Sequence, residues 1–153
     1  GCGGGANLHA LLKRCPKGTA VGLDYSPVSV AASWKKNRAA IAAGRCRVEQ
    51  GDVSALPFED EKFDLATAFE TVYFWPDLGG SFREVFRVLK PGGTFLICNE
   101  SNGDTDRDEK WAKIIGGMTI YKDIELKAYL EQAGFHEVQI HKKKSWLCIT
   151  ARK

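Results

Sequence analysis

The chain opens on a run of glycines, and an aspartate follows at a spacing that suits nucleoside binding. The run is Gly1-Cys2-Gly3-Gly4-Gly5, and Asp24 comes nineteen residues after its last glycine, at the end of a short apolar stretch. Glycines let the backbone turn tightly and approach a ligand without a Cβ in the way. A carboxylate after the next strand can accept hydrogen bonds from both hydroxyl groups of a ribose. The spacing therefore predicts a site for a nucleoside cofactor.

A second acid follows a second short strand. Gly51-Asp52-Val53 comes directly after Arg47-Val48-Glu49-Gln50, where an adenine amino group would need an acceptor. The N–H groups of the glycine run, near the start of the following helix, would face the carboxylate or ribose of a cofactor. Both acids also have a structural interpretation: Asp24 could form an Asx turn before a helix cap at Ser26, and Asp52 could form a turn.

The rest of the chain alternates predicted strands and helices. An apolar stripe with helical spacing follows the glycines, and Ser26-Pro27 is typical of a helix cap and first helical residue. Further helices are predicted from a cap at Asp77 to Pro91, over residues 111–118, and up to Gly134. Strands are predicted at residues 19–23, 46–50, 63–69 and 94–98, followed by a hairpin of 135–141 and 145–151. This order predicts a doubly wound α/β sheet with one reversed strand. Because residues 63–69 contain few polar side chains, we expect both faces of that strand to be buried.

Composition fits one domain of ordinary type. The 153 residues are 44% apolar and 27% charged, and the net charge of +3 is too small to indicate a nucleic-acid partner. No apolar run approaches the roughly 20 residues of a membrane span, so no membrane partner is expected. Five cysteines, at positions 2, 15, 46, 98 and 148, lack Cys-x-x-Cys spacing. They indicate reduced thiols in a cytoplasmic protein without a metal site.

Taken together, the motifs resemble the class I S-adenosylmethionine-dependent methyltransferases over nearly the whole chain. The glycine run is similar to the second half of that family's first motif, and Leu23-Asp24-Tyr25-Ser26 resembles its ribose-binding motif. Gly51-Asp52-Val53 through Leu56-Pro57-Phe58 resembles the adenine-binding motif. The most specific likeness is residues 87–97, Arg-Val-Leu-Lys-Pro-Gly-Gly-Thr-Phe-Leu-Ile. It resembles the loop and fifth strand of the branch that acts on small molecules and in quinone biosynthesis.

The resemblance implies a Rossmann-like, mostly parallel sheet with a C-terminal antiparallel hairpin, S-adenosyl-L-methionine as cofactor and a small-molecule acceptor. It places the following residues at the cofactor: Gly1, Cys2, Gly3, Gly5, Asp24, Tyr25, Ser26, Asp52, Val53 and Phe69. The family also has a central strand before the glycines, and nothing precedes Gly1. We therefore expect one domain over residues 1–153 that lacks its first strand, and a native protein in which an N-terminal segment supplies it.

Candidate catalytic residues follow the strand at 63–69. Glu70 would orient an acceptor or contact the cofactor amino group, unless it is simply a solvated carboxylate, and Tyr73 stands among aromatics that either pack the loop or line a pocket. We expect the pocket to combine residues 70–75 and 111–121, with 100–110 as a lid. Methyl transfer from a sulfonium is an in-line displacement that positioning and desolvation can drive, so a general base is optional. No histidine is required.

Two other interpretations stay open. A nicotinamide-dependent oxidoreductase also uses glycines and an acid, although it normally shows Gly-x-Gly-x-x-Gly, whereas here the glycines stand at 1, 3, 4 and 5. A non-catalytic methyltransferase-like module is the second. The Asn/Asp-Pro-Pro-Tyr/Phe signature of amino-methylating nucleic-acid enzymes and the Pro-Cys nucleophile of cytosine-methylating ones are absent, which favours a small-molecule acceptor. A homodimer is left open.

Overall fold

The computed structural model describes residues 1–104 and 106–153 and shows an α/β protein of alternating strands and helices. Its contacts divide the chain into two compact units, residues 1–52 and 53–153. The expectation of one domain over the whole chain stays a prediction.

The first unit is a βαβ arrangement with one helix before it. Its elements are α1 (Ala6–Arg14), β1 (Ala20–Asp24), α2 (Pro27–Ala42) and β2 (Cys46–Gln50). The two strands are parallel, with Asp24 opposite Gln50 at their carboxyl ends. α1 lies against β1 at Gly22, where an added Cβ would stand 2.8 Å from a methyl carbon of Leu8. The helix can therefore approach the strand closely only because residue 22 has no side chain.

The start of α2 matches the predicted cap. The Ser26 hydroxyl accepts a hydrogen bond from the Ser29 N–H at 3.4 Å, and Pro27 is the first helical residue. Proline suits this position because its missing N–H would have no helical partner. The buried side chains of α2 are Ser33 and Asn37, so its inner face is polar.

The second unit contains a four-stranded sheet in the order β3-β4-β6-β5. Its elements are β3 (Phe63–Phe69), α3 (Leu78–Val88), β4 (Leu89–Asn99), α4 (Asp106–Ile114), α5 (Asp123–Gln132), β5 (His136–Lys143) and β6 (Trp146–Arg152), with 3-10 turns at Val53–Ala55 and Val72–Phe74. β3 and β4 are parallel, whereas β6 pairs antiparallel with both β4 and β5. The predicted reversed strand and closing hairpin are confirmed.

The core of this unit lies between one face of the sheet and the helices α3 and α5. Phe82 of α3 is fully buried, and its ring meets those of Trp75 and Phe95 edge-on at centroid distances of 5.8 and 5.6 Å. The apolar residues of β4 and β6 that face it alternate with half-buried ones on the other face. One face of the sheet is therefore dry, as the two-residue period of a strand requires.

Three boundary or burial predictions are wrong. Helix α3 ends at Val88 and β4 begins at Leu89 rather than Thr94, because the Val88 carbonyl accepts from the Lys62 N–H and residue 89 pairs with Phe63. α4 begins at residue 106 rather than 111 and ends before Gly116. Leu65 is 44% exposed, since α3 and α5 cover only the opposite face of β3.

Within the described residues, β1 pairs with β2 alone and β3 with β4 alone. The expected strand before Gly1 concerns residues outside the sequence and stays a prediction. No helix in the described part of the chain combines the length and apolarity needed to cross a bilayer.

Candidate functional site

The glycine run lies along the carboxyl end of β1. The Cys2 N–H donates to the Leu23 carbonyl at 2.8 Å, which extends the backbone pairing beyond the strand's own ladder. The chain then turns, with the Gly5 N–H donating to the Cys2 carbonyl at 3.0 Å, and α1 begins at the next residue. The free N–H groups of the first turn of α1 therefore start where β1 ends.

Asp24 fixes this turn. Its side chain is only 6% exposed, and one carboxylate oxygen accepts from the Gly3 N–H at 2.8 Å while the other accepts from the Ser26 N–H at 3.0 Å. The second bond is the Asx turn that the sequence allowed. A carboxylate offers about four acceptor positions, so these two bonds leave capacity for a donor such as a ribose hydroxyl. The structural interpretation and the binding interpretation of Asp24 are therefore compatible.

The second predicted acid is brought to the same edge of this two-stranded sheet. The Gly51 N–H donates to the Asp24 carbonyl at 3.0 Å, and Asp52 follows with an exposed side chain. Tyr25 lies beside Asp24 and is 73% exposed, which leaves its ring faces open. Four of the predicted elements, the glycine turn, Asp24, Tyr25 and Asp52, thus share one edge of the first unit.

Two residues that the sequence analysis missed hold the glycine turn from behind. Gly5 has φ of +78°, and a Cβ there would lie 2.5 Å from the Ser33 hydroxyl oxygen and 2.6 Å from the Asn37 amide nitrogen. The same Asn37 nitrogen donates to the carbonyls of Gly5 and Ser33 at 3.1 and 3.0 Å. A serine and an asparagine four residues apart occupy one helix face, which is the signal that would have revealed them.

In the second unit, the predicted residues lie in and after β3. Val53 begins a 3-10 turn and packs against the core, and Phe69 is the last residue of β3. Glu70 follows with φ of +55°, an unusual conformation for a residue with a side chain. The conformation is held from both sides, because the Glu70 N–H donates to the Cys98 carbonyl and the Glu70 carboxylate accepts from the Glu100 N–H.

The Glu70 carboxyl is partly shielded from water although the residue as a whole is exposed. This desolvation raises its pKa above the ordinary value, and the bond from the Glu100 N–H opposes the rise. Backbone strain in a residue at the carboxyl end of a parallel strand is typical of a functional position.

Tyr73 is buried and uses its hydroxyl group in two directions. The hydroxyl donates to the Ser101 carbonyl at 3.1 Å and accepts from the Ser101 N–H at 2.9 Å. Burial raises the pKa of the Tyr73 hydroxyl above its ordinary value, so the group stays protonated at neutral pH. Tyr73 therefore holds the segment after β4 and is unsuited to act as a base.

The two segments predicted to form a pocket do meet. The Thr119 N–H donates to the Tyr73 carbonyl at 2.8 Å, and the rings of Phe74 and Trp111 are 46% and 40% exposed. Trp75 belongs instead to the core beside Phe82, so its predicted place in a pocket wall is wrong.

The start of the predicted lid is anchored in this unit. Asn102 is 2% exposed and donates to the Lys144 carbonyl at 3.2 Å. Residue 105 lies outside the described residues, and movement of the lid stays a prediction. Among the residues that the structure describes, no group of three or more His, Cys, Asp or Glu side chains could hold a metal ion.

A family model described as a methyltransferase domain matches residues 1–97, which include the glycine turn, Asp24, Asp52 and Glu70. The chain belongs to this family. The resemblance seen in the motifs is therefore confirmed, and methyltransferase membership is selected over the nicotinamide-dependent oxidoreductase.

Relatives of known activity are similar over part or most of the chain. Cycloartenol-C-24-methyltransferase 1 of Oryza sativa subsp. japonica is 33% identical over 97 residues, which are 63% of this chain and 28% of the relative. Demethylmenaquinone methyltransferase of Lactobacillus johnsonii is 31% identical over 166 aligned positions, covering 92% of this chain and 68% of the relative. The chain spans less than half the length of the first relatives that it matches.

Solved structures show the same fold. The crystal structure of a SAM-dependent methyltransferase from Aquifex aeolicus superposes with a TM-score of 0.83 at 21% identity, over 99% of this chain and 78% of that one. At this identity the likeness establishes the Rossmann-like fold alone.

We expect Asn37→Ala to loosen the methyltransferase glycine turn. The change removes both donor bonds and leaves the Gly5 carbonyl without its side-chain partner, so affinity for S-adenosylhomocysteine should fall about threefold to tenfold. Calorimetric titration measures the affinity, and Asn7→Ala, an exposed asparagine on α1, is the matched control. A variant that melts at a lower temperature but keeps its affinity would show that Asn37 only stabilises the fold.

Tyr73→Phe tests the clamp on Ser101. Removal of the hydroxyl leaves a buried N–H and carbonyl with one partner fewer, so the free energy of unfolding should fall by about 1–3 kcal/mol. Urea denaturation measures it, with Tyr129→Phe at a 38% exposed position as control. Equal stability of the two variants would contradict the structural role assigned to the hydroxyl.

Proposed function

We propose that this protein is an S-adenosylmethionine-dependent methyltransferase that methylates a small-molecule acceptor. The observation that carries the proposal is the buried Asp24 carboxylate, bonded to the Gly3 N–H at the end of β1, within the part of the chain that matches the family. A charge is buried only where bonds compensate for it, and here both bonds go to the backbone that surrounds a nucleoside-sized edge.

The residues present fit the cofactor. Asp24 has acceptor capacity left for the ribose diol, the N–H groups at the start of α1 suit the cofactor carboxylate, and Asp52 can accept from the adenine amino group. Gly5 stays a glycine because α2 leaves no room for a Cβ. Gly1, Cys2, Tyr25, Ser26, Val53 and Phe69 complete the proposed cofactor-binding set.

When bound, S-adenosylmethionine supplies an electrophilic methyl group on a sulfonium. The chain's own contribution is to orient the two reactants and to exclude water, and a displacement of this kind needs nothing more. We assign Glu70 to contact with the acceptor or with the cofactor amino group. Tyr73, whose hydroxyl is engaged by Ser101, is assigned the role of positioning residue rather than catalytic base.

The proposed acceptor is an apolar small molecule. The sequence relatives are named as sterol and demethylmenaquinone methyltransferases, and both names denote apolar substrates. The exposed rings of Phe74 and Trp111, in segments that are hydrogen-bonded to each other, support the same class for this chain. The proposal includes a cytoplasmic location and no nucleic-acid partner, which the small net charge supports, and it leaves a homodimer open.

Asp24→Ala is the direct test of the cofactor assignment. The variant loses a hydrogen-bonded charge, and binding of S-adenosylhomocysteine should weaken by roughly 1.5–3 kcal/mol, or about tenfold to more than hundredfold in affinity. Calorimetric titration of the folded variant, checked by circular dichroism, gives the dissociation constant.

Asp64→Ala serves as the control. Its carboxylate is 86% exposed and pairs with Lys90 at the amino end of β3, so the variant loses the same charge away from the proposed site. Equal affinities of wild type, Asp64→Ala and folded Asp24→Ala would overturn the cofactor assignment.

A further inference from the structure

Two of the five cysteines face each other across neighbouring strands. Cys98 of β4 and Cys148 of β6 are direct antiparallel partners in the register. Direct partners in such a ladder have Cα atoms about 4.5–5.5 Å apart, and their side chains lie on the same face of the sheet. A disulfide needs a Cα separation of about 4.4–6.8 Å. The backbone thus already holds both residues at bonding range.

The pair lies on the sheet face opposite the core of α3 and α5. Along β4 and β6 the core residues Ile97 and Ile149 are buried, whereas Cys98 and Cys148 are partly exposed. The other three cysteines have no cysteine partner in any strand pairing of the described residues. This rung of the sheet is therefore a vicinal dithiol with access to solvent.

The two thiols also interact electronically. The pKa of Cys98 is raised, mainly by burial and then by its hydrogen bond and charge interaction with Cys148. Cys98 consequently keeps its proton and can donate it toward a thiolate on Cys148. A thiolate is the nucleophile in thiol–disulfide exchange, which makes Cys148 the attacking group and Cys98 the resolving one.

We propose that Cys98 and Cys148 form a reversible cross-strand disulfide when the protein meets a low-molecular-weight disulfide such as oxidised glutathione. The Cys148 thiolate attacks one sulfur of the small disulfide, and the first glutathione leaves as a thiolate. The Cys98 sulfur, after losing its proton, then attacks Cys148 and releases the second glutathione. Two protein thiols are oxidised to one disulfide, one glutathione disulfide is reduced to two thiols, and the two protons end on the released thiolates.

The bridge would form next to the proposed acceptor residues. Cys98 is separated by one residue from Glu100, whose N–H donates to Glu70, and the Cys98 carbonyl accepts from the Glu70 N–H. Oxidation would thus fix the end of β4 that carries these bonds. The dithiol itself does not depend on the proposed methyltransferase activity, because it follows from strand register and exposure alone.

The test treats the native full chain with oxidised glutathione, quenches with acid and measures intact mass, followed by tryptic mapping without reduction. We expect a species that has lost two hydrogens and carries no glutathione, with a cross-link between the peptides that contain Cys98 and Cys148. Dithiothreitol should reverse it. Cys98→Ser should stop at a glutathione adduct on Cys148, and Cys148→Ser should form no bridge.

Cys15 provides the internal control, because it is exposed and has no cysteine partner in the sheet. The variant Cys15→Ser should still form the bridge at the wild-type rate. The proposal is overturned if Cys15 takes up glutathione while Cys98 and Cys148 stay reduced. It is also overturned if both of them end as separate adducts, or if the cross-link persists in folded Cys98→Ser.

Discussion

The bond between the Asp24 carboxylate and the Gly3 N–H is the contact on which the first unit depends. A buried carboxylate is costly unless it is fully hydrogen-bonded, and Asp24 meets that condition only when the glycine run turns back beside β1 and α2 begins at Ser26. One side chain thereby fixes the end of a strand, the approach to α1 and the start of α2. The lack of side chains in the glycine run is what lets backbone and carboxylate come this close.

The second unit solves a similar problem with different groups. Parallel strands end without a tight turn between them, so the segments that follow β3 and β4 need side chains to hold them. Glu70 and Tyr73 supply these bonds to Glu100 and Ser101, at the cost of an unusual backbone conformation at residue 70. In each unit, polar groups that could serve chemistry also organise the loops around them. Binding residues of this kind cannot be separated from structural ones by inspection of hydrogen bonds alone.

Much of this arrangement could be predicted from the sequence because its signals are local. The Ser26-Pro27 cap, the stripe on α1 and the alternation of the final hairpin each depend on neighbours within a few residues. The misses are of another kind. Asn37 reaches back to Gly5 over 32 positions, and the exposure of Leu65 depends on which sheet face the helices cover. The early start of β4 depends on its pairing with Phe63. Such long-range contacts leave no local pattern.

The pairing of Cys98 with Cys148 depends on strand register across 50 positions, which cysteine spacing does not reveal. The central claim, that the glycine turn and Asp24 form a site for S-adenosylmethionine, is tested most directly by amide chemical shifts in solution. Titration with S-adenosylhomocysteine should shift the amide signals of Gly3, Ser26 and Gly51, and titration with NADH should leave them in place. Shifts of these amides by NADH, or none by S-adenosylhomocysteine at millimolar concentration, would contradict the account.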